Sequence, residues 1–95
     1  LKNYDAAIEY ATYKKERYFL QKAEYFRSVN MLEDAILTLG ESLKLNGKFI
    51  PSLLAISEIY TKLDRFDLAR EHLKILLAIE PENKQGLKLK KLLSK

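Results

Sequence analysis

The side chains that could carry a reaction are few. One imidazole, His72, stands beside Glu71 and Lys74, and carboxylates pair at Glu71/Glu80 and at Glu80/Glu82. A general base needs a group that orients it, a nucleophile needs an adjacent base, and a metal needs several converging ligands. With no Cys, the chain has no thiolate nucleophile, no Cys-bearing zinc site and no disulfide framework. No second His accompanies the Glu pairs, no acidic loop suits calcium, and no glycine-rich loop suits a phosphate. His72 reads as a surface residue on a helix whose inward face is Ala69, Leu73 and Leu76. The expectation is a chain with no catalytic residues, no metal and no cofactor.

The second kind of chemistry is charge. Seventeen Lys and Arg against thirteen Asp and Glu give a net +4, and the last twelve residues hold five Lys and no acid. Lys84, Lys88, Lys90, Lys91 and Lys95 therefore form a possible basic patch toward RNA or an acidic partner. No aromatic residue stands among them to stack on bases, which favours a solvated helix face over nucleic-acid binding.

These side chains must be positioned by helices. At 95 residues the chain makes one small domain. It is 47% hydrophobic with three Gly and two Pro, too apolar for disorder and too poor in turn residues for a sandwich or barrel. No apolar run approaches the roughly 18 to 20 residues of a membrane span, so no membrane insertion is expected. The chain opens at Leu1 rather than Met, which suggests a fragment of a larger protein, cytoplasmic in its expected setting.

An internal repeat organises the chain. Residues 16–49 laid on residues 50–83 without a gap pair Leu20 with Leu54, Glu24 with Glu58, Ala35 with Ala69, Leu39 with Leu73 and Leu43 with Leu77. Chemistry is kept at Phe19/Leu53, Ala23/Ser57, Phe26/Tyr60, Val29/Leu63, Asn30/Asp64, Leu32/Phe66, Glu33/Asp67 and Leu45/Ile79. Apolar positions recur at three and four, so each unit reads as two amphipathic helices. Between them, Asn30 to Glu33 and Asp64 to Asp67 carry the signature of a side chain capping the second helix, with an acid in its first turn. Asn46-Gly47 predicts a stop between units, with Pro51 in the first turn beyond it and Pro81 marking the next boundary. Ala23, Ser57, Ala35 and Ala69 predict close helix contacts, with Phe26, Tyr60, Leu32 and Phe66 filling around them. Added bulk at the Ala sites is expected to cost about 1–3 kcal/mol.

This order of residue types resembles the tetratricopeptide repeat. The second unit supplies its large apolar, small, aromatic, aromatic, Ala, apolar and Pro positions as Leu53, Ser57, Tyr60, Phe66, Ala69, Leu73 and Pro81. The first supplies Phe19, Ala23, Phe26, Leu32, Ala35 and Leu39, and departs at Lys22, Ser42 and Gly47, where looser outer contacts are expected. The resemblance implies an all-α fold of antiparallel hairpins stacked as a right-handed superhelix. Its parts would be a leading helix (1–15), two repeats (16–49 and 50–83) and a capping helix (84–95), forming one domain. The implied function is a scaffold that holds a partner peptide or helix in a concave groove. That groove would be lined by Arg17, Leu20, Gln21, Glu24 and Arg27 from the first unit and Leu54, Ala55, Glu58, Thr61 and Lys62 from the second. Leu89 and Leu92 would extend it. Co-chaperones of this type that clamp acidic chaperone tails need paired Lys and Asn where this chain has Leu20, Glu24 and Ala55, so that role is not expected.

The ends are less regular. Tyr4 to Tyr10 looks like the second helix of a preceding repeat, yet Ala7 lies 28 residues before Ala35 instead of 34. Either a tight turn falls near Tyr13 to Arg17, or residues 4–29 form one helix of roughly 39 Å that invites dimerisation. Five of the six Tyr lie in this region and read as packing or as an aromatic contact surface. In the last segment Leu87, Leu89, Leu92 and Leu93 are expected to cover the second unit. Lys91 stands where Ala23 and Ser57 do, and Gly86 costs about 1 kcal/mol against Ala in a helix.

Overall fold

The computed structural model describes residues 15–94, so the leading segment, with its choice between a turn and a long helix, lies outside the described residues. The described residues form helices α1 (Lys15–Ser28), α2 (Leu32–Leu45), α3 (Ile50–Lys62), α4 (Phe66–Ile79) and α5 (Lys84–Leu93), with no strand among them. The chain divides into two compact units, residues 1–47 and 48–95. The first contains the α1–α2 hairpin, and the second contains the α3–α4 hairpin with α5 against it.

The small residues act as the repeat requires. Ala23, Ala35, Ser57 and Ala69 are at most 1% exposed, so each is a point where a neighbouring helix comes close. Large side chains complete the interior: Leu39, Leu53, Ile59 and Leu76 are fully buried, each contributing about 1.5–3 kcal/mol by leaving water. Phe26, Tyr60 and Leu32 are half-buried, as gap fillers should be, whereas Phe66 is 42% exposed and fills less than expected.

The turn inside each hairpin corrects the capping expectation. Met31 and Arg65 sit at the helix starts, and neither receives nor gives a side-chain cap. Asn30 and Asp64 instead adopt left-handed backbone, with φ of 63° and 61°. Around them the Met31 amide donates to the Phe26 carbonyl at 2.8 Å and the Asn30 amide to Arg27 at 3.1 Å. Arg65 and Asp64 repeat this onto Tyr60 and Thr61 at 2.8 and 3.1 Å. Two such nested bonds satisfy the last carbonyls of the first helix. Asn and Asp serve there because they tolerate left-handed backbone better than other non-glycine residues. They end one helix rather than begin the next.

Other boundaries fall where the sequence puts them, by different means. α2 ends at Leu45 before Asn46, whose amide donates to Ser42, and Gly47 does not take positive φ. Pro51 lies in the first turn of α3. A side-chain cap does occur at α5, where Asn83 Oδ1 accepts the Gly86 amide at 2.8 Å.

Ser42, a departure from the repeat pattern, does not loosen the first unit. It is fully buried, and its hydroxyl donates to the Glu16 carbonyl at 2.7 Å, tying the end of α2 to the start of α1. In the second unit Ser57 donates to Leu53 at 2.7 Å, a bond that lets a hydroxyl replace Ala at a tight contact.

α5 packs differently from the expectation. Its buried residues are Gly86, Leu89 and Leu93, while Leu87 and Leu92 are 43% and 55% exposed. Gly86, Leu89 and Leu93 lie thirty-four residues after Ser52, Ala55 and Ile59, which are buried in α3. Leu89 and Leu93 join Ala69 and Leu73 in one apolar cluster, with Tyr60 and Leu77 packed on it. Gly86 has a steric reason: a Cβ there would stand 2.9 Å from Leu76 Cδ2 and 3.0 Å from Leu77 Cδ2. The missing side chain is what lets α5 approach α4.

Candidate interaction surfaces

In the first unit α1 turns Ala23 inward, with Phe19 and Phe26 half-buried about it. The proposed lining runs along another stripe of that helix: Arg17, Gln21 and Glu24 are exposed, while Leu20 and Arg27 are half-buried. Arg27 and Glu24 approach at 3.8 Å, an exposed pair worth a few tenths of a kcal/mol. Tyr18 and Tyr25 are 47% and 61% exposed. They pack edgewise or tilted on Phe19 and Phe26 at 5.5 and 5.8 Å, leaving about half of each side chain in solvent. Tyr4, Tyr10 and Tyr13 lie outside the described residues.

In the second unit Lys62 is exposed, and Leu54, Glu58 and Thr61 are half-buried. The Thr61 hydroxyl is committed to the Ser57 carbonyl at 2.8 Å. Ala55 is a correction: at 4% exposure it belongs to the interior and has no surface to give a partner. It falls with Ser52 and Ile59 on the stripe buried in α3, one residue round the helix from Leu54.

Two clefts flank α5. The one between α3 and α5 has a volume of about 370 Å³ and is lined by Glu58, Gln85, Lys88, Leu89, Lys91 and Leu92. Glu58 thus faces the Lys88 and Lys91 side of α5 across an apolar floor. The other lies between α4 and α5, is about 530 Å³, and takes in Lys90. The expected basic patch is therefore split. Lys84, Lys88, Lys90 and Lys91 are all exposed, but Lys90 belongs to a different face of α5 from Lys88 and Lys91; Lys95 lies outside the described residues.

His72 is half-buried instead of exposed. Its ring packs on Tyr60 at 5.5 Å, and Nδ1 donates to the Leu68 carbonyl at 2.8 Å. No three His, Cys, Asp or Glu side chains gather as metal ligands among the described residues. No described helix is long and apolar enough to cross a membrane. The faces missed by sequence reasoning are those of α5. The thirty-four-residue offset from Ser52, Ala55 and Ile59 was the signal that could have found them.

Comparison with known proteins agrees with this geometry. Residues 53–95 match the family model described as the Fis1 C-terminal tetratricopeptide repeat. Among solved structures, the tetratricopeptide domain of Arabidopsis OM64 superposes with a TM-score of 0.79 at 20% identity, covering 83% of this chain. The chain spans 65% of that domain's length, a little under two thirds. A search of curated proteins returns no match. Tetratricopeptide-type domains are generally protein-interaction modules. Two hairpins built on the same buried small residues, with residues 53–95 matched to that family model and most of the chain matched to that domain in fold, give this chain a tetratricopeptide-type helical repeat fold.

Proposed function

We propose that the chain is a scaffold whose α3 and α5 faces hold a peptide or helix of a partner protein, and that it catalyses no reaction. The observation that supports this best is the cleft between those helices. Leu89 and Leu92 give it an apolar floor, with Leu92 55% exposed, and Glu58 stands opposite Lys88 and Lys91. Apolar anchoring flanked by charge of both signs suits an amphipathic segment, the floor supplying affinity and the charges fixing its direction. Leu54 extends the surface along α3, and Arg17, Leu20, Gln21, Glu24 and Arg27 offer the corresponding surface of the first unit.

Affinity capture with the wild-type chain beside Leu54→Glu and Leu92→Glu tests this, with nuclease treatment and two salt concentrations as controls. A protein retained by the wild type and lost from both variants, at unchanged helicity, is the expected result. Capture that survives both substitutions refutes the groove. Capture abolished by nuclease instead assigns binding to RNA through the exposed lysines.

A further inference from the structure

The cleft between α4 and α5 is a separate surface. It lies on the side of α5 away from Lys88 and Lys91, and the function proposed above does not use it. Its lining is Arg70, Leu73, Lys74, Leu77 and Ala78 from α4, with Lys90, Leu93 and Ser94 from α5. Leu73 and Leu93 are buried beneath it, Leu77 is half-buried and Ala78 is exposed, so the floor is apolar and its centre is shallow.

Three cations and no carboxylate line this cleft. Arg70 is partly neutralised, since it meets Asp67 at 3.2 Å and donates to the Leu93 carbonyl at 3.2 Å, which also fixes α5 against α4. Glu71 is outside the lining. Lys74 and Lys90 are exposed and make no ion pair among the described residues. They stand on opposite helices, one on each wall. From Arg70 to Ala78 the α4 wall runs about 12 Å, a little over two helical turns.

We propose that this cleft docks an acidic amphipathic helix, its Leu-type side chains over Leu77 and Ala78 and its carboxylates paired with Lys74 and Lys90. Charge complementarity selects the occupant. A basic or neutral helix would bring its own cations against two unpaired ammonium groups or leave them without partners. An acidic one neutralises both walls while it covers the apolar floor.

The probe is a helix-stabilised, fluorescein-labelled peptide of about 14 residues with Leu at three- and four-residue spacing and Glu on its flanks, beside a twin with Lys in place of Glu. Binding of both to the full 95-residue chain is read by fluorescence polarisation. The acidic peptide is expected to bind and the basic twin to bind about tenfold more weakly or not at all. The doubly substituted chain, Lys74→Glu with Lys90→Glu, is expected to reverse that order, and Leu92→Glu to leave it unchanged. Both lysines are exposed, so circular dichroism of the double variant should match the wild type. Equal binding of the two peptides, binding of neither, or an order that survives the double reversal overturns the proposal. Loss of acidic-peptide binding in Leu92→Glu also overturns it, by moving the peptide to the cleft between α3 and α5.

Discussion

Two helical glycines make a paired test of how α5 is held. Gly40 and Gly86 lie within α2 and α5, and neither has positive φ, so Ala fits the backbone at both. Helix propensity alone predicts that each Gly→Ala substitution stabilises by about 0.8–1 kcal/mol. The surroundings differ. A Cβ at Gly40 meets nothing among the described residues within 4 Å, whereas one at Gly86 meets Leu76 Cδ2 at 2.9 Å and Leu77 Cδ2 at 3.0 Å. Carbon atoms settle at about 3.5–4.0 Å, so α5 or both Leu side chains must give way by about half an ångström. Leu76 is fully buried, so any shift of its side chain must be taken up by a close-packed interior. Overpacking of this kind costs about 1–3 kcal/mol, which offsets the propensity gain and exceeds it in most of that range. Gly40→Ala should therefore stabilise by about 1 kcal/mol, and Gly86→Ala should destabilise by up to about 2 kcal/mol. Urea unfolding followed by circular dichroism gives the difference. Hydrogen exchange locates it, because local opening follows local packing and the loss should concentrate in residues 87–93. Gly86→Ala that stabilises as much as Gly40→Ala refutes the close approach of α5 to α4.

The hairpin turns and the polar tie of the first unit give two further tests. Asp64→Gly should stabilise by about 0.5–1 kcal/mol, and Asp64→Ala should destabilise by about 1 kcal/mol, because φ of 61° suits glycine and penalises a Cβ. Loss of stability in both variants on thermal unfolding would restore the capping role. Ser42→Ala should cost about 0.5–1 kcal/mol through the lost bond to the Glu16 carbonyl. A more stable Ser42→Ala chain in the same assay would mean that this bond contributes nothing.

The repeat was legible because packing constrains it. Ala23, Ala35, Ser57 and Ala69 had to be small, their spacing recurs at thirty-four residues, and all four are buried. Helix ends were legible in position but not in mechanism. Asn and Asp favour both the start of a helix and the left-handed end of one, and only the backbone distinguishes the two at Asn30 and Asp64. Surface assignments were the hardest. Leu54 and Ala55 are neighbours in the chain, yet about 100° of helical rotation puts one at the surface and the other in the interior. Leu87 follows Leu53 by thirty-four residues but is exposed. The position of Leu53 packs within its own hairpin, and among the described residues no helix after α5 covers the equivalent face. Gly86 read as a cost to its helix because sequence carries propensity but not the distance to Leu76.

The central claim, that a partner segment lies along α3 and α5, is tested most directly by amide chemical-shift mapping of the labelled chain with its captured partner. The account predicts shifts concentrated at Leu54, Glu58, Lys88 and Leu92, with Leu37, Leu68 and Ile75, all exposed on other helices, unmoved. Shifts at Leu68 and Ile75 with none at Leu54, Glu58 or Leu92 would contradict it.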